Sequence, residues 1–442
     1  MSPRKTNQSQ MAKSNKANSF SKQLLYSAVL LALASSSFAA SILFKGGDIY
    51  TVSDGVRTGA DLLVVDGKIS AIGANLAPGD AKVVDASGKR IYPGLVHAST
   101  LAGLTELGSI RATNDYAETG AINPNAKAAT AINPDSELLP VIRGFGVTTL
   151  HVMPMGGQSV LSGTSAAIQT RGWTIEDMAI APEVGIVVQW PNARAPDFLP
   201  AAFKDEVKKQ AEASMASLKR AFEQARAYAL ARAADDAGPQ DLKLAALLPA
   251  LAGKQSVYVN ASEAGQIREA LDFCAEQRLR CVLVGAHDAW RYADAIKAAK
   301  IAVILGSPFD LPLRRSDSFD VNYTGAAKLA AAGIKFAIAG DGSSFSAPLD
   351  GNLAFNAAQY QAFGLSAELA LRAITLSAAE VLGIADKVGS ISVGKQADLV
   401  ISSGDVLEIT NIIEAVYING ELQENTSRHT RLGERFRGKL GQ

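Results

Sequence analysis

The sequence predicts an α/β protein built as a (β/α)8 barrel with short β-segments at both ends. Three observations carry that expectation. From Tyr92 to about residue 385, apolar strand-like runs alternate with helix-like stretches, the pattern of parallel strands joined by crossover helices. From Ser41 to Arg90 the pattern is instead short alternating strands and turns, and that texture returns from Gly389 to Leu422. The chain has 442 residues, 48% hydrophobic and 19% charged, which is ample for one large core and a smaller domain.

Taken in order, the first 39 residues read as a targeting segment. They hold five basic groups (Arg4, Lys5, Lys13, Lys16, Lys22) and no acidic ones. An apolar run of eleven residues follows, Leu24 to Ala34, too short to span a bilayer but suited to a signal-peptide core. Ser37-Phe38-Ala39 offers small residues for cleavage after Ala39, and Met11 as the start would give a shorter, more ordinary signal. An uncleaved anchor is the alternative. The expectation is export, to the periplasm in a Gram-negative host. The remainder carries 38 basic and 43 acidic groups, a net charge of −5, which does not favour nucleic acid as a partner. No other apolar run is long enough to span, so no membrane partner is expected after cleavage. A small-molecule substrate is, and a homo-oligomer is open.

The expected organisation is a signal peptide over 1–39 and a first β-segment over 40–91. The barrel follows over 92–385, then a second β-segment over 386–425 and a polar, fraying tail over 426–442. Asp66-Gly67 and Asn419-Gly420 are hairpin signals between apolar runs. Seven barrel strands are legible: Tyr92–Ala98, GVTTLHVMP with His151, Gly185–Trp190, then runs ending at Asn260, His287, Ser307 and Asp341. A fourth strand is expected between Pro191 and Gly253, where LKLAALL is either that strand or a helix. MPMGGQSVLSGTSAAI reads as a Gly/Ser-rich loop without a phosphate-binding or nucleophile-elbow pattern. Cys274 and Cys281 are either two buried thiols or a disulfide, which export would permit.

Functional residues of such barrels sit at the C-terminal ends of strands. Those ends carry His97, Ser99, His151, Asn260, His287, Ser307 and Asp341, so three of the chain's four His face one end by this reading. The polar stretch after the first strand adds Glu106, Asp115 and Glu118 as candidate substrate-binding groups, with a solvated loop as the plainer alternative.

The stretch IYPGLVHASTL resembles the first barrel strand of the amidohydrolase superfamily, whose usual form is Pro-Gly-Leu-Ile-Asp-x-His-x-His. The closing stretches LSAAEVLGIADKVG and GSISVGKQADLVISSG resemble that family too, and the altered strand and polar loop resemble its secreted, imidazolonepropionase-like members. The resemblance covers Ile42 to Leu422. It implies a composite β-sandwich built from both chain ends, and hydrolysis of carbon–nitrogen bonds other than peptide bonds. It also implies a divalent metal such as zinc, held by His and Asp. Here the two metal-His positions hold Ser99 and Leu101, the strand-5 position holds Asn260, and only His287 and Asp341 match. A substitute set of His97, His287 and Asp341 would suit zinc by donor type, with His97 as a core histidine the alternative. His287 and Asp341 are the candidate catalytic pair, and His151 and Asn260 candidate substrate contacts. A barrel that has lost its metal and serves as a small-molecule binding protein is the competing reading.

Overall fold

The computed structural model describes residues 41–195, 199–234 and 238–441; the expected signal segment lies outside them. The chain is a mixed α/β protein. Its first strands are β1 (Ile42–Tyr50), β2 (Val56–Val65), β3 (Lys68–Gly73), β4 (Lys82–Asp85) and β5 (Arg90–Pro93). Next come β6 (Leu95–Thr100), β7 (Val147–Val152), β8 (Leu161–Thr164), β9 (Ala166–Gln169) and β10 (Ala179–Ala181). The parallel series β11 (Gly185–Gln189), β12 (Ser256–Ala261), β13 (Cys281–Gly285), β14 (Ala302–Leu305) and β15 (Phe336–Ile338) follows, and β16 (Leu399–Ser402), β17 (Ile413–Ile418) and β18 (Glu421–Gln423) close the sheet structure.

Both chain ends build one eight-stranded sheet, in the order β18-β17-β16-β5-β1-β2-β3 with β4 against β1. The join is antiparallel, with Ile401 opposite Ile91 and Leu399 opposite Pro93. Both hairpin signals form as expected. Asp66-Gly67 has φ of 49° and 74°, and Asn419-Gly420 has 51° and 74°, the left-handed pair that matches strand twist. The two turns pack on each other: a Cβ on Gly67 would lie 2.7 Å from the Asn419 carbonyl oxygen. One apolar cluster, with Phe44, Leu62, Ile69, Ile91, Leu399 and Tyr417, fills one face of this sheet.

The remaining strands form a four-stranded sheet, β10-β9-β7-β6, and a six-stranded sheet, β15-β14-β13-β12-β11-β8. Every residue of β6, β7, β8 and β9 is buried, as expected for strands covered on both faces. The expected ring is not closed by a ladder between β15 and β6 among the described residues. The missing strand lies elsewhere than expected. The second half of the expected Gly/Ser-rich loop, Met153–Ile168, lies in β8 and β9, which flank Ser165; β8 runs antiparallel to β11 and β9 antiparallel to β7. Its Ser, Gly and Thr residues hide a strand because their burial comes from the fold and not from apolarity. The interval 201–251 holds only helices among its described residues. LKLAALL belongs to the helix Leu242–Leu251, whose first amides are capped by Asp241 (Lys243 N at 2.8 Å, Leu244 N at 3.0 Å).

The long helix Ala201–Ala233 buries Leu218, Ala221, Phe222, Ala225 and Tyr228, a stripe at helical spacing. Phe222 meets Phe273 edge-on at 5.5 Å, and Phe273 meets Trp190 at 5.7 Å. Phe273 sits on the helix Ala264–Gln277, whose next residue, Cys274, is tied to β13 by a disulfide to Cys281. The expected polar tail holds a helix, Arg428–Leu440, with Ser427 and Thr430 forming a reciprocal cap.

At the start of β6 the Pro-Gly pair has a steric reason. A Cβ on Gly94 would lie 2.0 Å from Thr148 Oγ1 of the neighbouring strand region. Gly94 N also donates to the Asp398 carbonyl at 2.7 Å. The Asp398 carboxylate accepts from Asn419 N at 2.8 Å and Gln169 Nε2 at 3.1 Å, tying the end-to-end sheet to β9. Burial pushes its pKa up to about 6, with those two hydrogen bonds acting against the rise.

Candidate functional site

The first strand delivers His97 inward and deep. Its side chain is fully buried, with Nε2 3.3 Å from Asp350 Oδ1 but not aligned for a hydrogen bond. Asp350 is itself buried and accepts from Thr100 Oγ1. The close approach needs Gly340 at the end of β15, where a Cβ would lie 2.9 Å from Asp350 Oδ1. His97 and Asp350 therefore form a sealed pair beneath the C-terminal edge of the strands.

His151 is also fully buried. Its Nδ1 lies 2.7 Å from the Ala98 carbonyl oxygen, which can only accept, so Nδ1 carries the proton. Nε2 then accepts from Ser165 Oγ at 2.8 Å. Burial lowers its pKa to about 4, with His97 adding to the fall and the Ala98 carbonyl opposing it. It is thus a neutral imidazole with both nitrogens engaged by protein, its ring 4.7 Å from that of Tyr258 and tilted to it by 55°.

His287 differs. It stands at the end of β13 after Gly285 (φ 78°) and Ala286 (φ 43°), a left-handed pair that turns the chain sharply out of the sheet. Its side chain is 11% exposed, with Nε2 3.2 Å from the Ser307 carbonyl oxygen and 3.3 Å from Asp310 Oδ2. Gly306 leaves room for the ring, since a Cβ there would touch Cε1 at 3.2 Å. Nδ1 has no hydrogen-bond partner among the described residues. Burial alone would lower the His287 pKa. The Asp310 contact, the Ser307 carbonyl and the charges of Asp310 and Asp288 outweigh burial and hold it above the ordinary value. The next residue, Asp288, is buried and gripped by Arg291 at 2.9 Å, by Arg314, and by Ala264 N at 2.9 Å, which fixes the turn that presents His287. Burial would raise the Asp288 pKa, but the two arginines hold it below the usual carboxylate range.

Asn260 lies at the same edge. Its Nδ2 donates to Gln189 Oε1 at 3.0 Å, leaving Gln189 Nε2 buried without a partner. Gln189 and Trp190 line a cavity of about 630 Å3 with Ser159, Glu206 and Gln210. Asp341 is exposed; its Oδ1 accepts from Ser343 N at 2.7 Å and from Ser346 Oγ. It caps its own loop. That loop abuts the polar stretch after β6, since a Cβ on Gly108 would lie 2.9 Å from the Ser344 carbonyl oxygen. In the polar stretch Glu106 accepts from Asn133 Nδ2 at 3.4 Å, and Asp115 and Glu118 are exposed.

The expected zinc set does not assemble. Among the described residues no three His, Cys, Asp or Glu side chains come together as a metal-holding group. His97 is turned to Asp350, His287 to Asp310 and Asp341 to Ser343 and Ser346. With Ser99 and Leu101 on β6, the donor chemistry of this edge does not fit a metal of the expected kind. Three residues of interest were not singled out beforehand. Gln189 follows from the same strand-end rule once β11 is placed. Asp310 sits in the loop beyond β14 and Asp350 in the 3-10 helix Ala347–Asn352 beyond β15, and no local pattern marks them.

Residues 269–423 match the amidohydrolase family profile. A dihydroorotase from Pelotomaculum thermopropionicum is 25% identical over 173 residues, 33% of this chain and 40% of that protein. A D-hydantoinase from Geobacillus stearothermophilus is 40% identical over 80 residues, 18% of this chain and 16% of that protein. The chain thus matches less than half the length of these curated relatives. The crystal structure of an amidohydrolase from Thermotoga maritima superimposes with a TM-score of 0.76 at 25% identity, covering 87% of this chain and 99% of that one.

Proposed function

We propose that this chain is an exported hydrolase of carbon–nitrogen bonds other than peptide bonds, on an amidohydrolase-type barrel whose metal site is degenerate. The observation that carries the reading is His287: a half-sealed imidazole at a strand end, with Nε2 occupied by protein and Nδ1 free. With Nε2–H donated to Ser307 and Asp310, the Nδ1 lone pair can take a proton from water. The water oxygen then bonds to the amide carbon and the carbon–nitrogen bond breaks. His287 returns the proton to the leaving nitrogen, so atoms and charge balance. Asn260 and the cavity beside Gln189 are the substrate contacts of this scheme, and Asp310 stands beside His287 where Asp341 was the expected partner. Such a dyad activates water less strongly than a metal would.

The partial matches to dihydroorotases and a D-hydantoinase point to cyclic amides as the first substrates to try. The end-to-end sheet supports the composite β-sandwich, and the sheets of four and six strands that β6 to β15 form support the barrel. The disulfide suits an oxidising compartment and so supports export.

The test is turnover by residues 40–442 across cyclic amides, N-acyl amino acids and dipeptides, with metal content measured in the same sample. Loss of turnover in His287→Ala, without a change in metal content, supports the reading. That no metal-holding group of His, Cys, Asp or Glu comes together among the described residues favours a second reading, a small-molecule binding protein. Ligands that raise the melting temperature without being consumed would decide for it.

A further inference from the structure

The helix Arg428–Leu440 is amphipathic in an unusual sense: its apolar side faces solvent. None of its residues is buried. Leu432, Phe436 and Leu440 are 37%, 57% and 73% exposed. At about 100° per residue, positions four apart fall on one narrow stripe, so these three form a continuous apolar ridge. The helix is tied to the body by Arg431, about 100° round from Leu432, whose Nη2 pairs with both carboxylate oxygens of Glu137 at 3.1 Å. The ridge is open to solvent, increasingly so toward Leu440.

Charge surrounds the ridge. The helix carries Arg428, Arg431, Arg435, Arg437 and Lys439 against a single acid, Glu434. By the same helical rotation Arg428, Arg435 and Lys439 flank the ridge on one side and Arg437 on the other. Among the described residues only Arg431 of these five cations makes an ion pair. Gly433 and Gly438 lie inside the helix, each costing about 1 kcal/mol of helix propensity relative to alanine. A helix of 13 residues is marginal alone, so burial of the ridge is what would stabilise it.

We infer that this helix docks the protein onto an anionic phospholipid surface. It lies parallel to the membrane with Leu432, Phe436 and Leu440 among the acyl chains and the flanking arginines and lysine at the headgroups. The charge decides among occupants. A second copy of the helix would bring five cations against five, whereas an anionic bilayer neutralises them. A nucleic acid would leave the ridge in water. The docking revises the expectation that the processed chain has no membrane partner, and it is independent of the proposed reaction.

The test is sedimentation of residues 40–442 with vesicles. One set mixes phosphatidylglycerol with phosphatidylcholine and the other is phosphatidylcholine alone. Residues 40–442 form one compact unit, which suits them to the experiment. The expected result is partition onto the anionic vesicles only, abolished by Phe436→Glu. Arg435→Gln with Lys439→Gln should weaken it about 25-fold, at about fivefold per cation. Unchanged circular dichroism in each variant separates loss of docking from loss of fold, since Phe436 supports no buried packing. Failure to bind anionic vesicles overturns the inference. Equal binding to both vesicle types overturns it as well, as does a self-associated form that Phe436→Glu dissolves without any vesicle binding.

Discussion

The Pro93-Gly94 step offers a direct test of how the first strand is seated. In Gly94→Ala the new Cβ would meet Thr148 Oγ1 at 2.0 Å, Cγ2 at 2.6 Å and Cβ at 2.8 Å, three contacts inside the distance real Cβ atoms reach. The strand cannot retreat, because Gly94 N is bonded to the Asp398 carbonyl at 2.7 Å and Leu95 N to the Gly146 carbonyl at 2.9 Å. Overpacking of this kind costs about 1–3 kcal/mol, and three simultaneous contacts place it at the upper end. Stiffening of the unfolded chain by alanine returns about 0.4–1 kcal/mol, so the net expectation is a loss of about 2 kcal/mol. The partner substitution gives the control. Thr148 Oγ1 is buried without a hydrogen-bond partner, so Thr148→Ala breaks no hydrogen bond. It removes the two shortest contacts and leaves only the one at 2.8 Å. The double variant should therefore be more stable than Gly94→Ala, with a favourable coupling of about 1–2 kcal/mol. Urea unfolding of residues 40–442 and the three variants measures it. A neutral Gly94→Ala, or a double variant whose losses simply add, would refute the steric account.

Two further outcomes follow from the buried ionisable groups. The chain has four histidines, so imidazole NMR can follow each. His287 should titrate above its ordinary value and His151 should stay neutral down to about pH 4. In Asp310→Asn the His287 pKa should fall, since burial then works against only the Ser307 carbonyl and the Asp288 charge; an unmoved titration would remove Asp310 from the site. Stability against pH gives the second. His151, lowered from 6.5 to about 4, binds its proton in the unfolded chain first, so it lowers stability as pH falls through that window by about 3 kcal/mol. Asp398, raised from 3.8 to about 6, binds its proton in the folded chain first, so its stabilising effect is lost as pH rises through its window, by a similar about 3 kcal/mol. The two slopes oppose each other between about pH 4 and 6. Asp398→Asn should leave stability falling toward acid and His151→Asn should leave it falling toward neutrality. Parallel slopes in the two variants would contradict the assignment.

How much of this was legible in the residues depends on what each signal reports. Asp66-Gly67 and Asn419-Gly420 declare their turns because left-handed φ at both positions is a local requirement. The strand ends at His287 and Asn260 are legible because apolar runs stop there. β8 and β9 were not, since Leu161–Thr164 and Ala166–Gln169 are buried by neighbours and carry little apolar periodicity of their own. Asp341 matched a family position, yet its carboxylate turns to Ser343 and Ser346, and Asp350, nine residues on, faces His97 instead. Which of these two carboxylates turns inward is settled by tertiary packing, here the room left by Gly340. Likewise the tail's basic composition was plain, but the direction of its ridge depends on the Arg431–Glu137 pair.

The pairing of Ile91 with Ile401 has a consequence for the order of events when the chain is made. β1 to β5 emerge first, but the edge of β5 stays open until β16 arrives about 300 residues later. Closing a loop of that length costs about 5 kcal/mol of chain entropy, so the join waits for the intervening segment to collapse. During synthesis the early strands thus carry an unpaired, apolar edge, the feature most apt to capture another chain. A protein threaded unfolded across a membrane would keep that edge idle until its last residues had passed. The sheet that unites the two ends thus makes the polypeptide complete before it can be folded.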